Sequence, residues 1–76
     1  AMGVKKGVPD LCLPVTRGGF HGLYIEMKTP GGRASDAQRW WMMELTKQGY
    51  RAVVCHGYDA AVAELCWYLS LPKEVR

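Results

Sequence analysis

Three charged side chains stand where apolar ones are expected. Asp10 opens the run "DLCLPV", and Glu26 and Lys28 interrupt "LYIEMK". Charges in a strand that faces a core are costly unless something compensates them. Strand side chains alternate between faces, so Glu26 and Lys28 share one face and Met27 takes the other. With a hairpin turn centred near Gly18 and Gly19, Cys12 is expected to pair with Glu26 and Asp10 with Lys28. The three charged residues then converge at one end of the hairpin. Leu11, Leu13, Leu23, Ile25 and Met27 form the opposite, core-facing side.

Two carboxylates a few ångströms apart repel each other unless positive charge lies between them. A hard divalent cation supplies that charge. Mg²⁺ is satisfied by one or two carboxylates, with water and phosphate oxygens completing its shell. It can acidify a water and polarise a phosphoryl oxygen. A lysine alongside can orient or deprotonate the water, or stabilise developing charge. The set suits hydrolysis of a phosphodiester. The competing reading is a surface salt-bridge cluster of Asp10 and Glu26 around Lys28, which is common on solvated sheets and worth little.

These residues need a scaffold, and the pattern outlines one. Residues 10–15 and 23–28 read as a hairpin around the turn "TRGGFHG", with Pro14 marking an edge or a strand end. "TPGGRAS" is a loop. Ser35 with Gln38 three residues on matches a capping box, opening a helix that runs to about Gln48 with Gly49 at its end. "RAVVCH" reads as a third, buried strand. A second helix is expected over about 59–69, with Asp59 at its N-cap, Ala61, Val62, Leu65, Cys66 and Leu69 on its apolar face, and Pro72 as its stop. The order β-β-α-β-α implies a mixed sheet, with the third strand parallel to the second.

Composition sets the outer limits. The 76 residues make one small domain, and 49% apolar content with three tryptophans argues against disorder. No apolar run approaches the roughly 20 residues of a membrane helix, and "AMGVKKGVPD" has no signal-peptide core. "AMG" reads as an expression remnant. The three cysteines, Cys12, Cys55 and Cys66, lack any CxxC spacing and are expected to be buried, reduced thiols in an intracellular protein. The formal charge of +3 permits nucleic-acid binding without requiring it.

"GVPD" followed by "EMK" matches the PD-(D/E)XK pattern, and the continuation "KTPGGRASDAQRWW" makes the match more specific. Across about residues 7–66 the chain resembles the VRR-NUC family of small nucleases, found in phages and fused to larger repair proteins. The resemblance implies a restriction-endonuclease-like α/β fold, with a small mixed sheet flanked by helices, and Mg²⁺- or Mn²⁺-dependent cleavage of DNA. By position it makes Asp10 and Glu26 metal ligands, with the Met27 carbonyl completing the shell. Lys28 becomes the catalytic lysine, and Gln38 the helix glutamine near the active site. Stand-alone members resemble Holliday-junction resolvases and act as homodimers, so DNA, including four-way junctions, and a second copy are the implied partners. The bacterial cytoplasm or nucleoid is the implied setting. The family's helix ahead of "GVPD" has no counterpart in this sequence. The expected organisation is a remnant or flexible segment at 1–6, the nuclease domain at 7–71 and a tail at 72–76.

Other residues carry two readings. Gln38 is either a purely local cap or a contact to the site. Lys5, Lys6, Arg17, Arg33 and Arg39 are candidate phosphate contacts for DNA, against the plainer reading of a solvated surface. Trp40, Trp41 and Trp67 read as core or interface. The first helix is apolar on nearly every side, which calls for cover on more than one side, from a helix ahead of the motif or from a second subunit; a dimer is expected. His21 is expected to be exposed in the turn and His56 to be structural. The rival function is a non-catalytic nucleic-acid-binding module with the same fold.

Overall fold

The computed structural model describes residues 6–73. Its elements are β1 (Leu11–Leu13), β2 (Leu23–Lys28), α1 (Asp36–Lys47), β3 (Arg51–His56) and α2 (Tyr58–Ser70). They build one three-stranded sheet of order β1-β2-β3, with β1 antiparallel and β3 parallel to β2. This is the expected β-β-α-β-α mixed sheet.

The pleat divides the sheet into two faces. Leu23 and Ile25 of β2 and Cys55 of β3 are buried on one face with Ala61 and Tyr68 of α2. Leu13, Phe20, Met27, Val53, Leu65 and Leu71 pack around them. The other face carries Tyr24, Glu26 and Lys28, which pair in register with Ala52, Val54 and His56. Helix α1 reaches this second face, because its Gln38 side chain touches Glu26. The two helices therefore cover opposite faces, and the charged residues lie on the α1 side.

The hairpin register differs from the expected one by two residues. Cys12 pairs with Tyr24, not Glu26, and the ladder places Asp10 level with Glu26 rather than Lys28. The turn itself is where the glycines put it: Arg17 and Phe20 exchange backbone hydrogen bonds around Gly18 and Gly19, both at positive φ. However, three residues (14–16) separate Leu13 from Arg17, against two (21–22) between Phe20 and Leu23. The first strand thus carries one extra residue, and the Val15 N–H turns back onto the Leu13 carbonyl at 2.9 Å. That extra residue matters. Without it the register would slip by one and send Asp10 to the core face.

Further expectations are corrected by packing. β1 is only three residues long, because Pro14 cannot donate to the ladder. Leu11 is exposed and lies outside the core. Helix α2 begins at Tyr58 with Gly57 as its N-cap and no side-chain cap, so Asp59 sits in the first turn instead. There its charge still favours the helix dipole. Val62, Cys66 and Leu69 are exposed, and the helix is anchored by Ala61 and Tyr68. Only Cys55 of the three cysteines is buried, while Cys12 and Cys66 are exposed. Cys12 lies on the open Tyr24 side of the short edge strand, and Cys66 on the outer side of α2.

Candidate active site

The sequence builds α1 so that it begins at the charged face. Ser35 is the N-cap, in extended backbone, and its Oγ accepts the Gln38 N–H at 3.1 Å. The Gln38 Oε1 accepts the Ser35 N–H at 2.8 Å, completing a reciprocal capping box. The same side chain then reaches the sheet, where its Nε2 donates to the Glu26 Oε2 at 2.9 Å. Gln38 therefore caps the helix and also contacts Glu26, so its role is not purely local.

Glu26 is the centre of the arrangement. It is 3% exposed, the one charged residue buried among the described residues. Lys28 Nζ stands 3.3 Å from the same Oε2, so one carboxylate oxygen takes both positive partners. The other oxygen, Oε1, is buried and has no hydrogen-bond partner among the described residues. A buried carboxylate oxygen left bare costs free energy that a folded protein normally avoids. Such an orphan calls for a partner outside the described side chains, a water or an ion among them.

Asp10 is exposed at the mouth of this site, and its Oδ2 accepts the Met27 N–H at 2.8 Å. In an extended strand the N–H and C=O of one residue project along the same edge. The Met27 carbonyl therefore projects toward Asp10 as well. Its side chain packs on the opposite, core face. Asp10, Glu26 and Lys28 thus lie together at this end of the hairpin.

The donor chemistry fits a hard cation. All candidate ligands are oxygens, and among the described residues no three His, Cys, Asp or Glu side chains gather as a metal cage. Mg²⁺ takes one or two carboxylates and leaves positions for water and phosphate.

The candidate DNA contacts are spread out. Lys6 is exposed just ahead of the motif, and its carbonyl accepts the Trp41 indole N–H at 3.0 Å, tying the motif segment to α1. Arg33 is exposed in the loop before α1. Arg39 pairs with Asp36 and donates to the Ala34 carbonyl at 2.7 Å, which places it at the helix start. Arg17 lies at the turn, the opposite end of the hairpin from Asp10, and donates to the Thr16 carbonyl. Lys5 lies outside the described residues. His21 is exposed and meets Tyr50 edge-on. His56 is exposed, with Nδ1 3.0 Å from the Thr29 carbonyl.

The sequence reading gave α2 no polar role, yet Arg51 and Glu64 form a two-pronged ion pair at 2.9 and 3.2 Å beneath Trp67. That pair holds the arginine guanidinium above its ordinary pKa, chiefly through the hydrogen bonds to Glu64. It braces α2 against β3, away from the carboxylates.

The VRR-NUC domain model matches residues 1–59. A solved structure, described as a VRR_NUC domain protein, is 42% identical and superposes with a TM-score of 0.90. The alignment covers 93% of this chain and 59% of that one, so the chain spans under two thirds of that relative's length. No curated protein matches.

Proposed function

The chain belongs to the VRR-NUC domain family, a nuclease-like family, and from that premise we propose that it is a divalent-metal-dependent DNA endonuclease. The observation that carries this reading is the bare, buried Oε1 of Glu26, whose other oxygen Lys28 engages and whose neighbour Met27 is tied to Asp10. Asp10, Glu26 and the Met27 carbonyl are the groups that would hold Mg²⁺ or Mn²⁺. When bound, the cation supplies an acidified water and a polarised phosphoryl oxygen. Lys28, held against Glu26, would orient the attacking water or offset negative charge that develops on the phosphate. Gln38 holds Glu26 still. Lys6, Arg33 and Arg39 flank the motif and the start of α1, where phosphate contacts would seat a duplex. Lys5 belongs to the same proposed set, and Arg17 is the member set farthest along the hairpin.

The proposal extends to assembly and setting. Met43 is 62% and Trp67 44% exposed, with Trp40 and Leu69 similarly open, which favours a homodimer using one or both helices. A two-fold dimer presents two sites, suited to branched DNA such as a four-way junction. The unpaired cysteines suit a protein of the bacterial cytoplasm or nucleoid. The test is incubation with plasmid and with a four-way junction, with Mg²⁺, Mn²⁺ or EDTA. Cation-dependent cleavage that disappears in Glu26→Gln is expected. DNA binding without cleavage under every cation would replace the enzyme by a binding module. Sedimentation at micromolar concentration should give at least a dimer, and a clean 8.5 kDa species would refute the assembly.

A further inference from the structure

We infer that Ser35 is a positioning residue for the metal site, acting through Gln38 to decide which oxygen of Glu26 is offered to a cation. The inference rests on the metal-dependent reading above.

A glutamine amide has one accepting and one donating end. Its orientation here follows from its partners. The Ser35 backbone N–H can only donate, so the Gln38 atom 2.8 Å from it is the oxygen. That leaves Nε2 for the Glu26 Oε2 at 2.9 Å, where an N–H donor is the productive choice. The Ser35 Oγ, accepting the Gln38 N–H at 3.1 Å, pins the first helical turn that carries the side chain. The capping box is thus a clamp with three hydrogen bonds, two on Ser35 and one on Glu26.

The consequence falls on Glu26. Lys28 and Gln38 both engage Oε2, at 3.3 and 2.9 Å, which saturates that oxygen with positive and donating groups. Oε1 alone is left bare in the buried site. A free carboxylate could rotate and exchange its two oxygens, but this one is held by the clamp. Oε1 is therefore the atom presented to the cation, and Ser35 keeps it so. A serine that merely started a helix would affect stability and leave cation affinity alone.

The experiment compares the unsubstituted chain with Ser35→Ala and Ser35→Thr. Mn²⁺ affinity is measured by titration calorimetry without DNA, well below each variant's melting temperature. The Gln38 side-chain NH₂ signals are followed by NMR in the metal-free protein. Ser35→Ala is expected to weaken Mn²⁺ binding about 10-fold, the low end of the scale for groups that orient a metal ligand. It should also shift the Gln38 NH₂ signals toward those of a solvated amide. Ser35→Thr, which keeps the hydroxyl, should restore both. A Ser35→Ala protein with a lowered melting temperature but unchanged Mn²⁺ affinity and Gln38 signals would overturn the inference and leave the metal reading standing. No Mn²⁺ binding by the unsubstituted chain would overturn the metal reading itself and this inference with it.

Discussion

Asp10 accepts the backbone N–H of Met27 through Oδ2 at 2.8 Å, so the motif aspartate is tied to the residue standing between Glu26 and Lys28. This bond extends the hairpin one step beyond the last β1–β2 pair, Leu11 with Ile25. It fixes the aspartate at the edge where the Met27 carbonyl also projects. The spacing of a short sequence motif thereby brings Asp10 alongside the Glu26–Lys28 stretch.

Asp10→Asn should separate this structural tie from the chemistry. The asparagine oxygen can accept the same N–H, so the melting temperature should stay within a few degrees of the original. The negative charge is lost, and cation-dependent cleavage should fall by about 100-fold or more. Cleavage at the original rate by a folded Asp10→Asn protein would remove Asp10 from the site.

Lys28→Ala should act on turnover more than on affinity. The ammonium is mostly buried and 3.3 Å from Glu26, too enclosed to serve as a long-range phosphate anchor. Groups that act on charge developing in the transition state lower kcat when removed, with little effect on ground-state binding. We expect kcat to fall by about 100- to 1,000-fold. DNA affinity, measured with Ca²⁺ in place of Mg²⁺, should change only a few-fold. The reverse pattern would make Lys28 a phosphate contact.

Gly7→Ala should disturb the site from outside it. Gly7 has φ +97, and a Cβ there would lie 2.7 Å from the Ala37 carbonyl carbon and 2.8 Å from the Gln38 nitrogen. The backbone at the start of α1 would have to retreat, taking Gln38 from Glu26. The expected cost is about 1–3 kcal/mol with a clear loss of activity. Gly19→Ala is the control, since it has φ +88 but nothing within 4 Å of a Cβ. It should cost some stability and leave activity intact below its melting temperature. Equal activity loss in both would refute the close-approach argument.

The sequence disclosed the elements and the grouping of the charged residues because each was written in local signals. The strand "RAVVCH", the Ser35–Gln38 box and the alternation of Glu26 with Met27 needed only nearest neighbours. The hairpin register did not have that character. It turned on the extra residue around Val15, whose N–H bonds to Leu13 rather than across the ladder. Helix α2 was read by periodicity, which could not reveal that Tyr68 rather than Val62 faces the sheet. Tyr68 is fully enclosed, and its hydroxyl finds a distant carbonyl. Cys12 was read as buried from its apolar neighbours, but an edge strand of three residues leaves one face open.

Tyr68→Phe tests that distant contact. Tyr68 is 0% exposed, its ring lies 6.1 Å from Phe20, and its hydroxyl donates to the Val15 carbonyl at 2.6 Å. The bond therefore joins the last turns of α2 to the irregular stretch that sets the hairpin register. Phenylalanine keeps the ring and its packing while removing that donor from a partly buried carbonyl. The expected loss is about 1–2 kcal/mol, and each kcal/mol lowers the melting temperature by about 4–8 °C in a domain of this size. Tyr68→Ala removes the ring as well, at about 3–5 kcal/mol, comparable to the whole stability of so small a domain. It should therefore be largely unfolded at 37 °C by circular dichroism. Cleavage by Tyr68→Phe well below its melting temperature should remain near the original rate, because the Asp10–Met27 bond still holds the register at the site. A Phe variant that melts with the original protein would show that the Val15 bond contributes nothing. A Phe variant that melts lower and also loses cleavage while folded would place control of the register in α2 rather than in the Asp10 tie.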